Sequence, residues 1–224
     1  NVMVDRKEGK TYELEEYQLT HETVIGNRHN EVLDGSEEIH ALLLKSNKVL
    51  RISKGALSWK AYQDYIAGIV VEGLSVAVQA SMDEMMNQLD EVYMQKQDIS
   101  ALLEVRLDLL EGASGEYDIL YTPSIDPVKG PELRDCVMGW VKDFMNIAKF
   151  VARLDTQEGD YLYEMEEDPH LIWKTQKLNN MLAKTEEECA AFAERYRKYE
   201  YLWVKDIATS FAEFLEDVEV KERV

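Results

Sequence analysis

The sequence predicts a mainly α-helical fold: an elongated bundle of long helices with one inserted β-hairpin at about residues 102–121. Apolar residues recur every three or four positions over most of the chain, which places them on one face of each helix. Only 4 prolines and 11 glycines interrupt the 224 residues. Over one short stretch the period changes to two, as is typical of strands.

Residues 1–35 are weakly patterned, and we interpret them as an irregular lead-in to the bundle, which occupies residues 36–224. Ser36 is followed by two glutamates and then by apolar residues, a pattern typical of a helix N-terminus. A short first helix is therefore expected from Ser36 to about Arg51.

A second, long helix is expected over residues 58–89, where apolar residues keep helical spacing. Gly68 and Gly73 lie inside it, and each costs helix propensity unless a neighbour packs closely, so we expect helix–helix contacts there. Its end is rich in methionine, which is typical of core filling but also of surfaces that receive a partner helix. These methionines are Met82, Met85, Met86 and Met94.

The hairpin is predicted because residues 103–109 alternate between apolar and charged side chains, and residues 117–121 alternate again. The two glycines and the serine between them suit a turn. A lone hairpin is marginal in water, so it must lie on the helices or join another sheet.

Pro131 suits the first turn of a further helix, whose seven-residue repeat over residues 133–154 fits bundle packing as well as a coiled coil. Residues 155–168 are expected to form an acidic connector that caps the next helix. A capping box at Thr185 then predicts the start of the last helix, which runs to about Leu215.

That last helix carries large apolar residues at steps of three and four, so it is expected to pack against a large surface. If the stripe is buried within the chain, Trp203→Ala should cost about 3–5 kcal/mol. If the stripe is exposed, it serves a partner instead. The stripe comprises Cys189, Phe192, Tyr196, Tyr199, Trp203, Ile207, Phe211 and Phe214.

The composition narrows the choice of partners and compartment. The net charge of −19 repels phosphate backbones, which argues against nucleic acids and anionic membranes and is compatible with a basic protein partner. Cys136 and Cys189 fall on apolar stripes, so buried free thiols in a reducing compartment are expected. No apolar run approaches the ~18 residues of a membrane span.

Motifs that carry chemistry are weak, and we assign no catalytic, cofactor-binding or metal-binding residue. Gly9-Lys10-Thr11 looks like the end of a phosphate-binding loop, but the full signature needs glycine where Val4 stands. GxSxG and SxxK nucleophile motifs are missing from the sequence. The tryptophans Trp59, Trp140, Trp173 and Trp203 are expected to be core anchors.

Two sets of residues contain side chains of the types that bind metal ions, the histidines and an acidic cluster in the connector. No two of the four histidines have the i, i+4 spacing of ligands on one helix face. An acidic cluster in the connector could hold a hard cation, although a solvated connector explains it better. The histidines are His21, His29, His40 and His170, and the cluster is Glu164, Glu166, Glu167 and Asp168.

Several segments, taken in order, resemble the stem of axonemal dynein heavy chains just before the linker that leads into the motor ring. They are WKAYQDYIAGIVVEGLSVAVQASMDEM from Trp59, ALLEVRLDLLEG with DILYTPSID, WVKDFMNIAKFVARL from Trp140, and ECAAFAERYRKYEYLWVKDIATSFAEFL, whose Tyr201-Leu202-Trp203 and Asp206 resemble the family's tyrosine-leucine-tryptophan-aspartate helix. The resemblance spans roughly residues 40–216.

The resemblance implies a non-catalytic stem segment of an ATP-driven, minus-end-directed microtubule motor, which transmits force and docks other subunits. ATP and Mg²⁺ would bind the AAA modules of the parent chain, outside these residues. The implied partners are dynein intermediate and light chains, other heavy chains or a docking complex, with microtubules reached through the parent chain. The implied location is the cytoplasm, in the axonemal cytoskeleton of a cilium or flagellum.

Two other classes of function remain open at this point. One is a free-standing acidic helical scaffold or adaptor for protein–protein interaction, which a native polypeptide near 26 kDa would favour over the dynein interpretation. The other is an enzyme that uses the acidic cluster with a metal, which calorimetric binding of Ca²⁺ or Mg²⁺ would test.

Overall fold

A computed structural model describes residues 2–4, 10–111, 116–125, 133–204 and 207–222. Its described residues confirm the mainly α-helical class with one inserted hairpin. The elements are α1 (Leu14–Leu50), α2 (Leu57–Asn87), α3 (Glu91–Gln97), β1 (Arg106–Glu111), β2 (Tyr117–Thr122), α4 (Leu133–Met145), a 3-10 helix (Asn146–Phe150), α5 (Leu162–Glu167), α6 (Pro169–Arg197), α7 (Tyr201–Val204) and α8 (Ile207–Glu222).

The chain forms two compact units. The first comprises residues 1–104 and 133–183, and the second comprises residues 105–132 and 184–224. In the first unit, α1, α2, α4, α5 and the 3-10 helix contact one another around a common core. The largest side chains buried there are Trp140, Tyr17, Tyr161, Phe144, Met3, Met82, Met85 and Met165.

The expectation of an irregular lead-in is wrong over residues 14–35, because α1 is a continuous helix of 37 residues. Its buried stripe is narrow and contains Tyr17, His21 and Ile25, four residues apart. Because the polar residue His21 lies at the centre of this stripe, the helical periodicity of apolar residues is weak in the sequence. Gly26 lies inside this helix, and a helix tolerates an isolated glycine at a cost of about 1 kcal/mol.

The residues before α1 also belong to the folded core. Val2, Met3 and Val4 are buried, and the Val2 backbone N–H donates to the Ser81 hydroxyl at 2.7 Å. Tyr12 forms an isolated parallel bridge with Leu103, through backbone hydrogen bonds of 2.9 Å. The lead-in is thus tied to α2 and to the segment that precedes β1.

The hairpin prediction is confirmed, with antiparallel strands at 106–111 and 117–122. Leu107 pairs with Tyr121 and Leu109 with Ile119, so the apolar positions of the two strands share a face. The predicted turn between the strands and the predicted helix start at Pro131 lie outside the described residues.

The last helix departs from its prediction. α6 runs without interruption through Thr185, so the predicted capping box does not begin a helix. A capping box requires the preceding chain to leave helical geometry, and residues 169–184 instead continue with helix formers and no glycine. The break falls later, in a turn at residues 198–200 ahead of α7. The acidic connector is likewise not all irregular, because it contains α5.

The two glycines of α2 do not lie at close helix contacts. A Cβ atom added at Gly68 or Gly73 would meet no atom within 4 Å. The expectation of close packing was therefore wrong within this chain, since the stripe that α2 buries passes through Trp59, Ala67 and Met82 instead.

By length and composition alone, α2 could cross a membrane. An 18-residue window of this helix has a mean hydropathy of 1.5, and one third of that window is buried. The expectation that no segment is apolar enough to span a membrane was therefore wrong. It considered only unbroken runs of apolar residues, whereas the apolar window of α2 contains scattered polar residues. Core helices of water-soluble proteins pass the same test, so it is weak evidence for a membrane span.

Candidate functional site

The apolar stripe of the predicted last helix is largely exposed. Its members lie in α6, in the turn at residues 198–200, in α7 and in α8, and Cys189 and Trp203 are half-buried. We call the exposed members of the second unit the aromatic set, in which Phe211 and Phe214 are 59% and 60% exposed. Of the two alternatives for the stripe, exposure rather than burial within the chain therefore holds for these residues. The aromatic set is Phe192, Tyr196, Tyr199, Phe211 and Phe214.

The hairpin lies on α6, as expected for a hairpin too small to stand alone. The Tyr121 hydroxyl donates to the Cys189 carbonyl oxygen at 2.8 Å. Burial raises the pKa of the Tyr121 phenol and that of the Cys189 thiol. Cys136 and Cys189 are half-buried rather than fully buried, and burial also raises the pKa of Cys136, so both remain free thiols of low reactivity.

The first unit contains an open groove of about 830 Å³ between α2 and residues 153–170, which we call the α2 groove. On one side stands Arg153, whose Nε donates to Asp155 at 3.1 Å and whose guanidinium lies 2.6 Å from Glu164. The same guanidinium lies 5.0 Å from the centre of the Tyr161 ring. The hydrogen bond from Arg153 holds the pKa of Asp155 below its usual value.

Asp168 closes the same side of the α2 groove. It accepts hydrogen bonds from the Ser75 hydroxyl at 2.7 Å and from the His170 backbone N–H at 2.8 Å, which caps α6 as expected. Burial opposes these hydrogen bonds, yet they leave the pKa of Asp168 lowered.

The acidic cluster of the connector therefore does not converge on one point. Glu164 pairs with Arg153 and Asp168 caps α6, while Glu166 and Glu167 are exposed. Among the residues that the structure describes, no group of three or more His, Cys, Asp or Glu side chains could hold a metal ion.

The four histidines are likewise dispersed. His21 is fully buried, whereas His29 stacks on Phe150 with the rings 4.2 Å apart. His40 and His170 are exposed. Burial lowers the pKa of both His21 and His29, which keeps them neutral at physiological pH.

His21 occupies an aromatic box formed with Tyr17, Trp140 and Phe144, whose ring centres lie 5.6–6.3 Å from its own. Its Nε2 lies 3.1 Å from Asp143, and its Nδ1 is buried with no hydrogen-bond partner among the described residues. Burial lowers the pKa of His21 more than Asp143 and Glu22 raise it. The site is a core histidine, and its protonation opposes folding.

We expect stability to fall as the pH drops below about 6.5, because the unfolded chain then binds a proton at residue 21 that the folded chain resists. One such group contributes at most about 1.4 kcal/mol per pH unit. Urea unfolding should show that the free energy of unfolding falls less between pH 7.5 and pH 5.5 for His21→Phe than for the unaltered chain. The control His40→Phe, at an exposed site, should lose as much stability over this pH range as the unaltered chain. An equal loss of stability in all three proteins would exclude His21 as the cause.

The remaining residues noted in the sequence have structural roles or are exposed. Lys10 pairs with Glu16 and lies 4.3 Å from the Tyr12 ring, while Gly9 lies outside the described residues. Trp59 and Trp140 are core anchors as predicted, but Trp173 is exposed. Met82, Met85 and Met86 are buried and Met94 is half-buried.

The described residues define a mainly α-helical segment that exposes large apolar side chains. Over 218 residues, 97% of this chain, it is 34% identical to the dynein beta chain of the flagellar outer arm of Chlamydomonas reinhardtii. It is 22% identical to human dynein axonemal heavy chain 17 and 24% identical to the ciliary dynein beta chain of Tripneustes gratilla, in each case over 85% of this chain. No family model matches.

The chain is a segment of an axonemal dynein heavy chain, as the resemblance in the sequence implied. It spans about 5% of the length of the Chlamydomonas relative and 4% of the two others. It accordingly belongs to the axonemal cytoskeleton of cilia and flagella.

Proposed function

We propose that this chain is a non-catalytic stem segment of an ATP-driven, minus-end-directed microtubule motor, in which it transmits force and docks other subunits. The exposed aromatic set carries the proposal. Large aromatic side chains are enriched at the centre of protein interfaces, and exposed groups of them are uncommon on proteins that work alone. ATP and Mg²⁺ would be bound by other parts of the parent chain.

The proposed partners are dynein intermediate or light chains, a second heavy chain or a docking complex. Long helices suit force transmission because each residue of a helix is held by backbone hydrogen bonds along the axis. α1, α2 and α6 comprise 37, 31 and 29 residues, and the first two anchor one common core. A force applied along such helices is therefore carried by packed helical segments rather than by loops.

A free-standing adaptor is the less favoured alternative, because the relatives are about twenty times longer than this chain. An immunoblot of isolated axonemes with an antibody raised against these residues distinguishes the two. A band near 26 kDa would contradict the stem proposal, whereas a band of heavy-chain size would support it.

The docking role is tested by Phe211→Glu with Phe214→Glu, placed in the complete heavy chain of a ciliated cell. Both side chains are exposed, so the free energy of unfolding should change by no more than about 0.5 kcal/mol per site. We expect the altered heavy chain to be made but to be lost from isolated axonemes, as measured by quantitative mass spectrometry.

The matched control is Leu19→Glu with Val49→Glu, which replaces two exposed apolar residues of α1. It should leave the amount of heavy chain in the axoneme unchanged. Normal assembly of the Phe211 and Phe214 variant, or equal loss of both variants, would contradict docking through the aromatic set.

A further inference from the structure

The α2 groove adjoins an apolar helix face that nothing covers among the described residues. Tyr65, Ile69 and Val76 recur at helical spacing on α2, and Tyr65 and Val76 are 64% and 60% exposed. Val76 also lines the groove. An apolar face next to a cavity of about 830 Å³ can receive several side chains of a partner.

The backbone of α2 is open to close approach at this face. Gly68 lines the groove, and a Cβ atom there would meet nothing within 4 Å. The distance between two packed helices depends on the side chains at their contact, so a glycine with open space before it permits a short distance. This geometry favours a helical occupant.

The charges of the groove specify the occupant further. Five carboxylates line the groove. Arg153, whose side chain is always positively charged, also lines it but is already paired with Asp155 and Glu164. Asp64 and Glu72 are exposed and have no cationic partner among the described residues. Carboxylate oxygens in such a setting are stabilised by an added cation.

We propose that the α2 groove binds an amphipathic helix of another polypeptide segment. Its apolar face packs on Tyr65, Ile69 and Val76, while its lysine or arginine side chains pair with the exposed carboxylates of Asp64 and Glu72. Docking of an amphipathic helix in an apolar groove is a common mode of peptide recognition. A second copy of this chain does not fit the site, because its net charge of −19 would bring carboxylates against carboxylates.

This interaction uses other residues than the aromatic set and does not rest on the proposed stem role. Binding of a peptide to the isolated full chain tests it directly. The docking variant Phe211→Glu with Phe214→Glu should bind the peptide normally, so failure of one proposal does not count against the other.

The probe is a fluorescent synthetic helix of about 20 residues, long enough to be helical, with leucine and alanine on one face and lysine on the other. A matched peptide carries glutamate in place of lysine. Fluorescence anisotropy at about 0.15 M salt, where weak long-range attraction is screened, should show binding of the lysine peptide and none of the glutamate peptide.

Two substitutions in the groove should each weaken binding of the lysine peptide at least about tenfold. Gly68→Leu fills the open space, and Glu72→Lys reverses a charge. The matched controls on α1 are Gly26→Leu, where a Cβ atom also meets nothing within 4 Å, and Glu38→Lys, an exposed carboxylate. Both controls should bind like the unaltered chain.

Circular dichroism should show that all four variants keep the helical signal, since Gly68→Leu raises helix propensity and Glu72 is exposed. Three results would overturn the proposal: no binding of the lysine peptide, equal weakening by the α1 controls, or equal binding of the glutamate peptide. Binding of neutral phosphatidylcholine vesicles that Gly68→Leu and Glu72→Lys abolish, without peptide binding, would assign the face to a membrane instead.

Discussion

Replacing Trp140 with alanine should lower the free energy of unfolding by about 3–5 kcal/mol, the cost of deleting a large buried aromatic side chain. Trp140 is fully enclosed in the first unit, and its ring centre lies 4.5 Å from that of Tyr17 and 5.6 Å from that of His21. Its indole N–H donates to the side-chain oxygen of Gln18, which would lose this donor. Urea unfolding followed by circular dichroism measures the change.

The matched control is Trp173→Ala on α6, where the indole is 57% exposed. This change should cost less than about 1 kcal/mol, because little apolar area returns to water. Similar losses for the two variants would contradict the core assigned around the aromatic box.

Replacing Arg153 with methionine should lower the free energy of unfolding by about 3 kcal/mol, because it leaves two carboxylates close together without their cation. The Arg153 side chain is 6% exposed, and those of Asp155 and Glu164 are 13% and 32% exposed. Solvent reaches Glu164, so the loss should lie near the low end of the range for buried pairs.

The pH dependence gives this prediction a second test. The pKa of Asp155 is lowered in the folded state, so its stabilisation is present above its ordinary value near 3.8 and is lost as the pH falls through the lowered value. The difference between Arg153→Met and the unaltered chain should therefore shrink below about pH 4. In contrast, Arg197→Met removes an exposed pair with Glu194 and should change stability by less than about 1 kcal/mol at any pH. Equal losses at both arginines would contradict the buried pair.

The sequence predicts the elements whose apolar period is strong and fails where the period is mixed with polar residues. The alternation around Leu107 and Leu109 identified the hairpin, and the stripe around Trp140 identified α4. The stripe of α1 includes His21, which is buried because aromatic rings and Asp143 surround it. Of these neighbours, Trp140, Phe144 and Asp143 come from a distant part of the chain, so no local pattern reports them.

The candidate surfaces were predictable only in part. The spacing from Phe192 to Phe214 marked an apolar face, but spacing does not show whether this chain or another one covers it. The α2 groove gave no sequence signal at all. It depends on Arg153 and Asp168 lying close to α2 although they are distant in sequence, and on the open space in front of Gly68.

The buried lead-in has a practical consequence for the choice of fragments. Val2, Met3 and Val4 are enclosed in the core, and Tyr12 is bridged to Leu103. A recombinant fragment trimmed to the start of α1 would uncover the apolar surface beneath these residues and leave Ser81 without its donor. Such a fragment should aggregate more readily than the full chain, even though every long helix would still be present.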